Sequence, residues 1–179
     1  AELIVHFGNK ELNETYVPKM LSGHWGGTMC LTEPQAGSSL SDITTKATPT
    51  DDGFYKILGQ KIFISGGDNN FTENIVHLVL ARIEGAPKGT KGISLFVVPK
   101  NRPTENGNLE FNDVTTVADF QKMGQRGYCT THLGFGDADN CRGWLVGEAN
   151  KGLHYMFLMM NGARIAVGRG AAAIAMAAY

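Results

Sequence analysis

The sequence predicts a mainly β protein, in which an antiparallel β-barrel domain is flanked by helical segments. Between about residues 28 and 147, short segments rich in Thr, Val, Ile and Phe alternate with turn residues and show no helical period. At the two ends of the chain, apolar residues instead recur at spacings of three and four. Glycine, which is common in turns, accounts for 23 of the 179 residues, roughly twice its usual share.

The N-terminal segment is predicted to be helical. Residues 1–7 are apolar enough to be the end of a helix, and Gly8-Asn9 resembles a C-cap followed by a turn. Apolar residues then recur at helical spacing over residues 10–21, where Pro18 requires a kink or a boundary. We therefore expect the tail of one helix and a second, short helix.

The middle of the chain is predicted to form six or more short strands. Asp51-Asp52-Gly53 has the turn chemistry of a hairpin, and the other segments are separated by Gly and Pro. Because helical segments are missing between them, these strands favour an antiparallel barrel or sandwich. The candidate strands are residues 44–50, 54–58, 62–65, 75–83, 93–98, 109–116, 130–135 and 144–146.

From Asn150 onwards the sequence predicts one helix, or two helices divided near Asn161-Gly162. Most of its faces are apolar, which is typical of a helix buried against more chain or another subunit. Arg164 lies in the apolar stripe, and a buried charge without a partner is costly. We therefore expect a buried anion or carbonyl beside Arg164, either as a structural ion pair or as a ligand contact.

Composition excludes several functional classes. The 16 basic and 17 acidic residues give a net charge of −1, without the basic surface that nucleic-acid binding needs. Cys30, Cys129 and Cys141 fit neither a disulfide framework nor a zinc site, so we expect no metal and a reducing compartment. The apolar stretch from Gly152 to Ala163 ends at Arg164, too early to span a bilayer.

Both ends of the sequence suggest a piece of a longer protein. The chain begins with Ala1 rather than an initiating Met, and it lacks the pattern of a signal peptide. It ends at Tyr179 within an Ala-rich helical run that contains no stop signal. We therefore expect a truncated chain.

Two loops have compositions suited to ligand binding. Residues 31–39 combine hydroxyl side chains with free backbone N–H groups, which can form an anion-binding nest for a phosphate, although ordinary turns share this composition. Residues 63–67 place an aromatic ring beside a hydroxyl, as a flat heterocyclic cofactor requires. A core Phe and a turn Ser explain the second segment equally well.

Four motifs, in this order, resemble the acyl-CoA dehydrogenase family. Met29-Cys30-Leu31-Thr32-Glu33-Pro34-Gln35-Ala36-Gly37-Ser38 resembles the family's first signature, and Gly59-Gln60-Lys61-Ile62-Phe63-Ile64-Ser65-Gly66-Gly67 resembles its second flavin-contacting strand. Phe7-Gly8 with residues 16–23 is similar to the last helix of the N-terminal domain, and Gly147-Glu148 through Arg164 to the entry of the C-terminal bundle. The resemblance covers essentially the whole chain.

The resemblance implies three parts. Residues 1–27 would end an N-terminal helical domain, residues 28–148 would form the middle β-barrel domain, and residues 149–179 would begin a C-terminal helical domain. The barrel would form one wall of a site for FAD and acyl-CoA. Family members oxidise an acyl-CoA thioester to the 2-enoyl-CoA, with a Glu carboxylate as base and hydride transfer to FAD. That Glu would lie outside this chain, so the fragment itself would be inactive.

The resemblance also implies the cofactor-binding residues. Met29, Leu31 and Thr32 would line the isoalloxazine ring, with the Thr32 hydroxyl near its pyrimidine side. Phe63 would pack against the ring, and Ser65 would donate a hydrogen bond near flavin N5.

Further contacts would involve the phosphates and the substrate. Gly37 and Ser38 would approach the pyrophosphate, and Ser38 would also meet the CoA moiety. Asn161 and Arg164 match positions that contact acyl-CoA in relatives. Ser39 departs from the family pattern, which usually has Asp there, and so removes a charge near the cofactor loop.

Within the family, three segments of the sequence are most similar to the branch of 3-methylmercaptopropionyl-CoA dehydrogenases. They are residues 32–37, 72–77 and 89–94. The resemblance implies electron-transfer flavoprotein as acceptor, a homodimer or homotetramer, and a location in the cytoplasm or, in a eukaryote, the mitochondrial matrix. Two alternatives share these motifs: an acyl-CoA oxidase, and a binding flavoprotein similar to the DNA-damage-response relatives.

Overall fold

The structure is a computed structural model that describes residues 1–179. It contains three α-helices, ten β-strands, and single 3₁₀ turns at Leu40–Asp42 and Thr90–Gly92. The helices are α1 (Glu2–Phe7), α2 (Lys10–Leu21) and α3 (Gly152–Ala178). The strands are β1 (Trp25–Cys30), β2 (Lys46–Pro49), β3 (Tyr55–Ser65), β4 (Asn74–Ile83), β5 (Ile93–Pro99), β6 (Asn101–Pro103), β7 (Leu109–Phe111), β8 (Val114–Asp119), β9 (Thr130–Phe135) and β10 (Arg142–Leu145).

Five strands close into a barrel, which confirms the predicted fold class. The order of pairing is β4, β5, β10, β3 and β2, and β2 returns to β4 to complete the ring. β1 pairs with the outside edge of β4, while β9 and β8 continue the sheet from β3. Most pairs are antiparallel as predicted, but β1–β4 and β2–β4 are parallel. Closure leaves the ring without an unpaired edge.

The two halves of β3 pair with different strands. The sequence predicts two strands here, at residues 54–58 and 62–65, but the structure contains one strand of 11 residues. Its beginning pairs with β2 and β10, whereas Gly59 to Ser65 pair with β9. The register shifts between Lys61 and Ile64, at a β-bulge that bends the strand. The polar residues between the predicted strands therefore lie inside a single bent strand.

Several other boundaries differ from the prediction, and one of them is explained by side-chain hydrogen bonds. The predicted strand 109–116 is divided into β7 and β8 at Asn112, whose buried amide binds the carbonyls of Pro99 and Arg142. β1 and β6 are not among the candidate strands of the sequence. α3 is continuous through Asn161, so the alternative of one helix is correct.

Two apolar clusters stabilise the fold. One fills the barrel interior, and the other lies between the outer face of the barrel and the three helices. Alternate residues of β5 belong to different clusters: Leu95 faces the helices, and Phe96 faces the interior. A strand buried on both faces has a continuous apolar run rather than an alternating one, which explains the strong signal of β4 and β5.

The two halves of α3 have different surroundings. Tyr155 and Met156 are buried against the barrel. Beyond Met160 the helix is exposed, and Ile165 and Ile174 have exposed fractions of 74% and 73%. Within this chain only the first half of the helix is buried, and burial of the second half against further chain or another subunit stays a prediction. No helix combines the length and apolarity needed to cross a membrane.

Candidate functional site

A cavity of about 550 Å³ lies where β1, β3 and α3 meet. Five predicted cofactor-binding residues line it: Met29, Leu31, Thr32, Phe63 and Ser65. Met29 is the last exposed residue of β1, and Leu31 and Thr32 begin the following loop. Phe63 and Ser65 lie in the second, bent half of β3. The remaining lining residues, which the sequence analysis did not identify, are Ala1, Met20, Gly27, Thr28, Ile62, Ile64, Leu78, Tyr128, Met159 and Met160.

One backbone and one side-chain hydrogen bond hold the two motifs side by side. The amide N–H of Ile62 donates to the carbonyl of Thr32 over 2.9 Å. The ammonium of Lys61 donates to the carbonyl of Leu31 over 3.0 Å. The residues separated by about 30 positions in sequence thus form one continuous wall, and their side chains share the cavity.

A buried ion pair between Lys61 and Glu33 lies beneath this wall. The ammonium of Lys61 donates to Oε1 of Glu33 over 2.8 Å, and both side chains are at most 1% exposed. The two carboxylate oxygens also accept hydrogen bonds from the amides and hydroxyls of Thr44 and Thr45, and from Gln35. Charges buried in this way need such complete pairing. The pair fixes the loop to β3 and to the segment before β2.

The surroundings of Glu33 determine its ionisation. Burial by itself raises the pKa of this carboxyl, but Lys61 and the hydrogen bonds from Thr44 and Thr45 outweigh burial and lower the pKa to about 2. Burial lowers the pKa of the Lys61 ammonium, and Glu33 acts in the opposite direction. Glu33 is therefore ionised at neutral pH and bonded on both oxygens. The sequence analysis did not identify this pair, although Glu33 and Lys61 are the single charged residues of their two motifs and of opposite sign, which was a signal.

The wall has hydrogen-bond donors that the protein itself does not use. The hydroxyls of Thr32 and Ser65 make no hydrogen bond within the chain, and the same holds for the backbone amides of Gly37 and Ser38. The first two face the cavity, whereas Gly37 and Ser38 lie on the exposed part of the loop, outside the cavity lining. Apolar walls with a few free donors suit a flat heterocycle, and successive free amides suit a phosphate group. These residues therefore fit a flavin nucleotide.

Phe63 has an uncommon backbone conformation. Its φ of +58° is in the left-handed region, where a bulky residue is rare. This conformation coincides with the β-bulge in β3 and leaves the ring 57% exposed, 4.6 Å from the ring of Phe120. Strained residues cluster at ligand sites, where surrounding structure maintains them. The bulge thus orients an aromatic ring towards the cavity instead of the core.

Asn161 and Arg164 lie together on α3, beside the cavity. The guanidinium of Arg164 donates to Oδ1 of Asn161 over 3.2 Å and lies 5.2 Å from the ring centre of Phe157. Arg164 is exposed and takes part in no ion pair of the chain, so the alternative of a structural ion pair is not seen here, while a ligand contact stays a prediction. It lines a shallow depression together with Met29 and Met160, which also line the cavity.

Comparison with known families decides the identity of this arrangement. Residues 28–138, more than half of the chain, match the middle domain of acyl-CoA dehydrogenases. The chain belongs to the acyl-CoA dehydrogenase family. The family's middle domain thus includes both motif segments that line the cavity of this acyl-CoA dehydrogenase chain.

Curated relatives extend the match. A 3-methylmercaptopropionyl-CoA dehydrogenase of Ruegeria pomeroyi is 51% identical over 165 residues, which cover 92% of this chain and 28% of the relative. A butyryl-CoA dehydrogenase of Syntrophomonas wolfei is 47% identical over 173 residues, covering 93% of this chain and 28% of the relative. The chain spans somewhat more than a quarter of the length of these relatives.

Solved structures have the same fold. A probable acyl-CoA dehydrogenase from Mycobacterium abscessus has a TM-score of 0.70 and 30% identity, and the match covers 90% of this chain and 39% of the other. The butyryl-CoA dehydrogenase of Megasphaera elsdenii has a TM-score of 0.72 and 27% identity, with coverages of 92% and 39%.

Proposed function

We propose that this chain forms one wall of the FAD site in an enzyme that oxidises an acyl-CoA thioester to the 2-enoyl-CoA. The observation that carries the proposal is the meeting of two motifs at one cavity: Leu31 and Thr32 from the loop, Phe63 and Ser65 from β3. In this proposal residues 1–27, 28–148 and 149–179 belong to an N-terminal helical, a middle β-barrel and a C-terminal helical domain. The family match supports the middle part.

The residues of the wall would make two kinds of contact with the flavin, apolar contacts and hydrogen bonds. Met29 and Leu31 would contact the isoalloxazine ring through apolar surface, and Phe63 would pack against it. The Thr32 and Ser65 hydroxyls would donate hydrogen bonds to its polar edge. The FAD held by these residues would supply the acceptor for the hydride from the β-carbon of the thioester.

The phosphates and the substrate would occupy the exposed margin of the site. The free amides of Gly37 and Ser38 would bind the pyrophosphate, and Ser38 would also contact CoA. Asn161 and Arg164, already hydrogen-bonded to each other, would contact acyl-CoA. The positive charge of Arg164 suits the phosphates of CoA.

The base that removes the α-proton lies elsewhere in this proposal. No Asp or Glu lines the cavity, and Glu33 beneath it is bonded on both oxygens. A carboxylate held by a lysine and two threonines, with a pKa of about 2, is a poor proton acceptor at neutral pH. We therefore expect the chain of residues 1–179 to be inactive by itself.

The relatives suggest short acyl groups. Their names specify 3-methylmercaptopropionyl-CoA and butyryl-CoA, at 51% and 47% identity. We propose a short-chain substrate from the branch of 3-methylmercaptopropionyl-CoA dehydrogenases, electron-transfer flavoprotein as acceptor, a homodimer or homotetramer, and a location in the cytoplasm or the mitochondrial matrix.

The test is an anaerobic visible spectrum of the protein from its native source, before and after addition of acyl-CoA thioesters that include these two. Bleaching of the flavin by one thioester is the expected result and identifies the substrate class. Peroxide production in air, without dependence on an electron-transfer flavoprotein, would indicate an oxidase instead. A bound flavin that no thioester reduces would favour a binding flavoprotein, and the absence of flavin would overturn the roles of Thr32 and Ser65.

A further inference from the structure

The exposed part of the loop between β1 and β2 has one hydrogen-bonded tie to the rest of the protein. Residues 37–42 include the free amides of Gly37 and Ser38. Their other hydrogen bonds are local, such as those from the Asp42 amide to the Ser39 carbonyl and from the Ser41 hydroxyl to the Asp42 carboxylate. The single bond to another element is donated by Arg82 of β4 to the Ser41 carbonyl.

The guanidinium of Arg82 joins two loops by binding three carbonyl oxygens. Nη2 donates to the carbonyl of Ser41 over 3.0 Å. Nη1 donates to the carbonyls of Pro87 and Gly89, in the loop between β4 and β5, over 2.8 and 2.9 Å. Gly92 leaves room for this arrangement, because a Cβ there would lie 2.7 Å from Nη1. The half-buried guanidinium therefore fixes the loop after β1 against the loop after β4.

The positive charge of Arg82 has no anionic partner in the chain. Arg82 takes part in none of the seven ion pairs, and its three acceptors are neutral carbonyls. The Asp42 carboxylate of the same loop accepts from the Ser41 hydroxyl and not from Arg82. A guanidinium is charged at any physiological pH. The residue that holds the loop therefore also favours an anion beside it.

We propose that Arg82 is a positioning residue for the pyrophosphate of FAD. It holds residues 37–41 in the shape in which the amides of Gly37 and Ser38 meet a phosphate, and its unpaired charge favours that phosphate. A loop that is already ordered loses less conformational entropy when the ligand binds. Lysine is a poor substitute, because its compact ammonium lacks the planar fork that reaches carbonyls of two loops. This inference rests on the proposed function, which assigns the pyrophosphate to Gly37 and Ser38.

The experiment compares two flavins that differ in the pyrophosphate. The full-length protein is stripped of flavin and titrated, by flavin fluorescence, with FAD and with riboflavin, which has the same ring system but no phosphate. Arg82→Gln is expected to weaken binding of FAD at least about tenfold and binding of riboflavin less than about threefold. A general loss of structure would weaken the binding of both flavins equally, so the ratio of the two affinities isolates the positioning role.

Lys46→Gln is the matched control for charge. Lys46 is the register partner of Arg82 between β2 and β4, is exposed, and makes no ion pair or side-chain hydrogen bond. Its loss removes the same charge without touching the loop and is expected to weaken FAD binding less than about threefold. Arg82→Lys keeps the charge but loses the fork, and its effect is expected to lie between those of the other two. Hydrogen exchange of the Asp42 amide should accelerate in Arg82→Gln alone.

Three results would overturn the proposal: unchanged FAD binding in Arg82→Gln, equal weakening of FAD and riboflavin, or equal effects of Arg82→Gln and Lys46→Gln. In each of them the wild-type protein still binds FAD, so the proposed function stands while the role of Arg82 fails. A full-length wild-type protein that binds no FAD would instead overturn the proposed function, and the role of Arg82 with it.

Discussion

The Lys61 side chain illustrates how a single residue connects two motifs. It crosses from β3 to the loop after β1, where it binds both the Leu31 carbonyl and the Glu33 carboxylate. Pairing offsets the cost of desolvating both charges, so the pair contributes more to positioning than to net stability. Removal of one member has a different consequence, because the other charge stays buried.

Replacement of Lys61 by Met is expected to destabilise the protein by about 3–5 kcal/mol, since it leaves Glu33 buried without its counter-ion. Denaturation by urea measures the loss. The control is Lys56→Met, which breaks an exposed pair with Asp139 and is expected to cost less than about 1 kcal/mol. Equal effects of the two substitutions would contradict the structural role of the buried pair.

Burial of the His77 side chain is expected to make the stability of the fold depend on pH. It is fully buried in β4, with Nδ1 2.8 Å from the Thr28 hydroxyl and Nε2 without a partner. Burial, reinforced by the charge of Lys100, lowers its pKa from an ordinary value near 6.5 to about 3. The folded protein thus keeps this ring neutral while the unfolded chain accepts a proton below pH 6.5.

Stability is therefore expected to be complete above pH 6.5 and to decrease as the pH falls towards 3. One histidine contributes at most about 1.4 kcal/mol per pH unit. Urea denaturation between pH 7 and 5, where Glu33 stays ionised, measures the slope. His77→Gln should flatten it, and the exposed His24→Gln should not. An unchanged slope in His77→Gln would exclude this histidine as the cause.

At the scale of elements, the close approach of β9 and β3 depends on glycine. Gly136 follows β9 with a φ of +80°, and a Cβ added there would lie 2.2 Å from the backbone oxygen of Ile57. Gly53, in the hairpin turn before β3, has almost the same φ of +81° but no heavy atom within 4 Å of such a Cβ. The two positions separate the conformational cost from the steric cost.

Gly53→Ala is expected to cost about 1–2 kcal/mol, because alanine disfavours the left-handed conformation. Gly136→Ala is expected to lower the stability by a further 1–3 kcal/mol or so, because the end of β9 must also move away from the backbone of β3. Thermal unfolding of both variants measures the difference. Equal costs would mean that β3 and β9 shift without strain.

At the scale of the whole molecule, the candidate flavin site is one wall of a larger enclosure. Met29, Phe63 and Ser65 face the cavity but are partly open to solvent, and the second half of α3 has no neighbour. Cofactor sites normally bury most of the surface of the ligand. The chain covers 28% of the length of its curated relatives, whose remaining residues have no counterpart here.

We therefore expect residues 1–179 alone to bind FAD weakly or not at all. The isolated chain, refolded with excess FAD, should lose its visible flavin absorbance on gel filtration. The protein from the native source, treated in parallel, should retain it. A chain that stays yellow through the column would show that one wall suffices, and would contradict the need for further protein around the cofactor.

The sequence by itself determined the class of fold and the two motifs. Strand pattern, turn residues and flanking helical periods depend on local preferences that a single chain reveals. β4 and β5 were predicted within one residue at each end, because strands buried on both faces have continuous apolar runs. The motifs of residues 29–38 and 59–67 identified the family, which the match over residues 28–138 confirms.

Only the tertiary structure decided how these segments meet. Residues distant in sequence are joined by the closure of the barrel through β2, by the pairing of the bent β3 with β9, and by the Glu33–Lys61 pair. The left-handed Phe63 lies at the bulge in that β3–β9 pairing. Arg164 is a second example, because the apolar stripe around it predicts burial, but no other part of this chain covers that stripe. Periodicity reports which face of an element is apolar, whereas the neighbour that covers that face depends on contacts between distant residues.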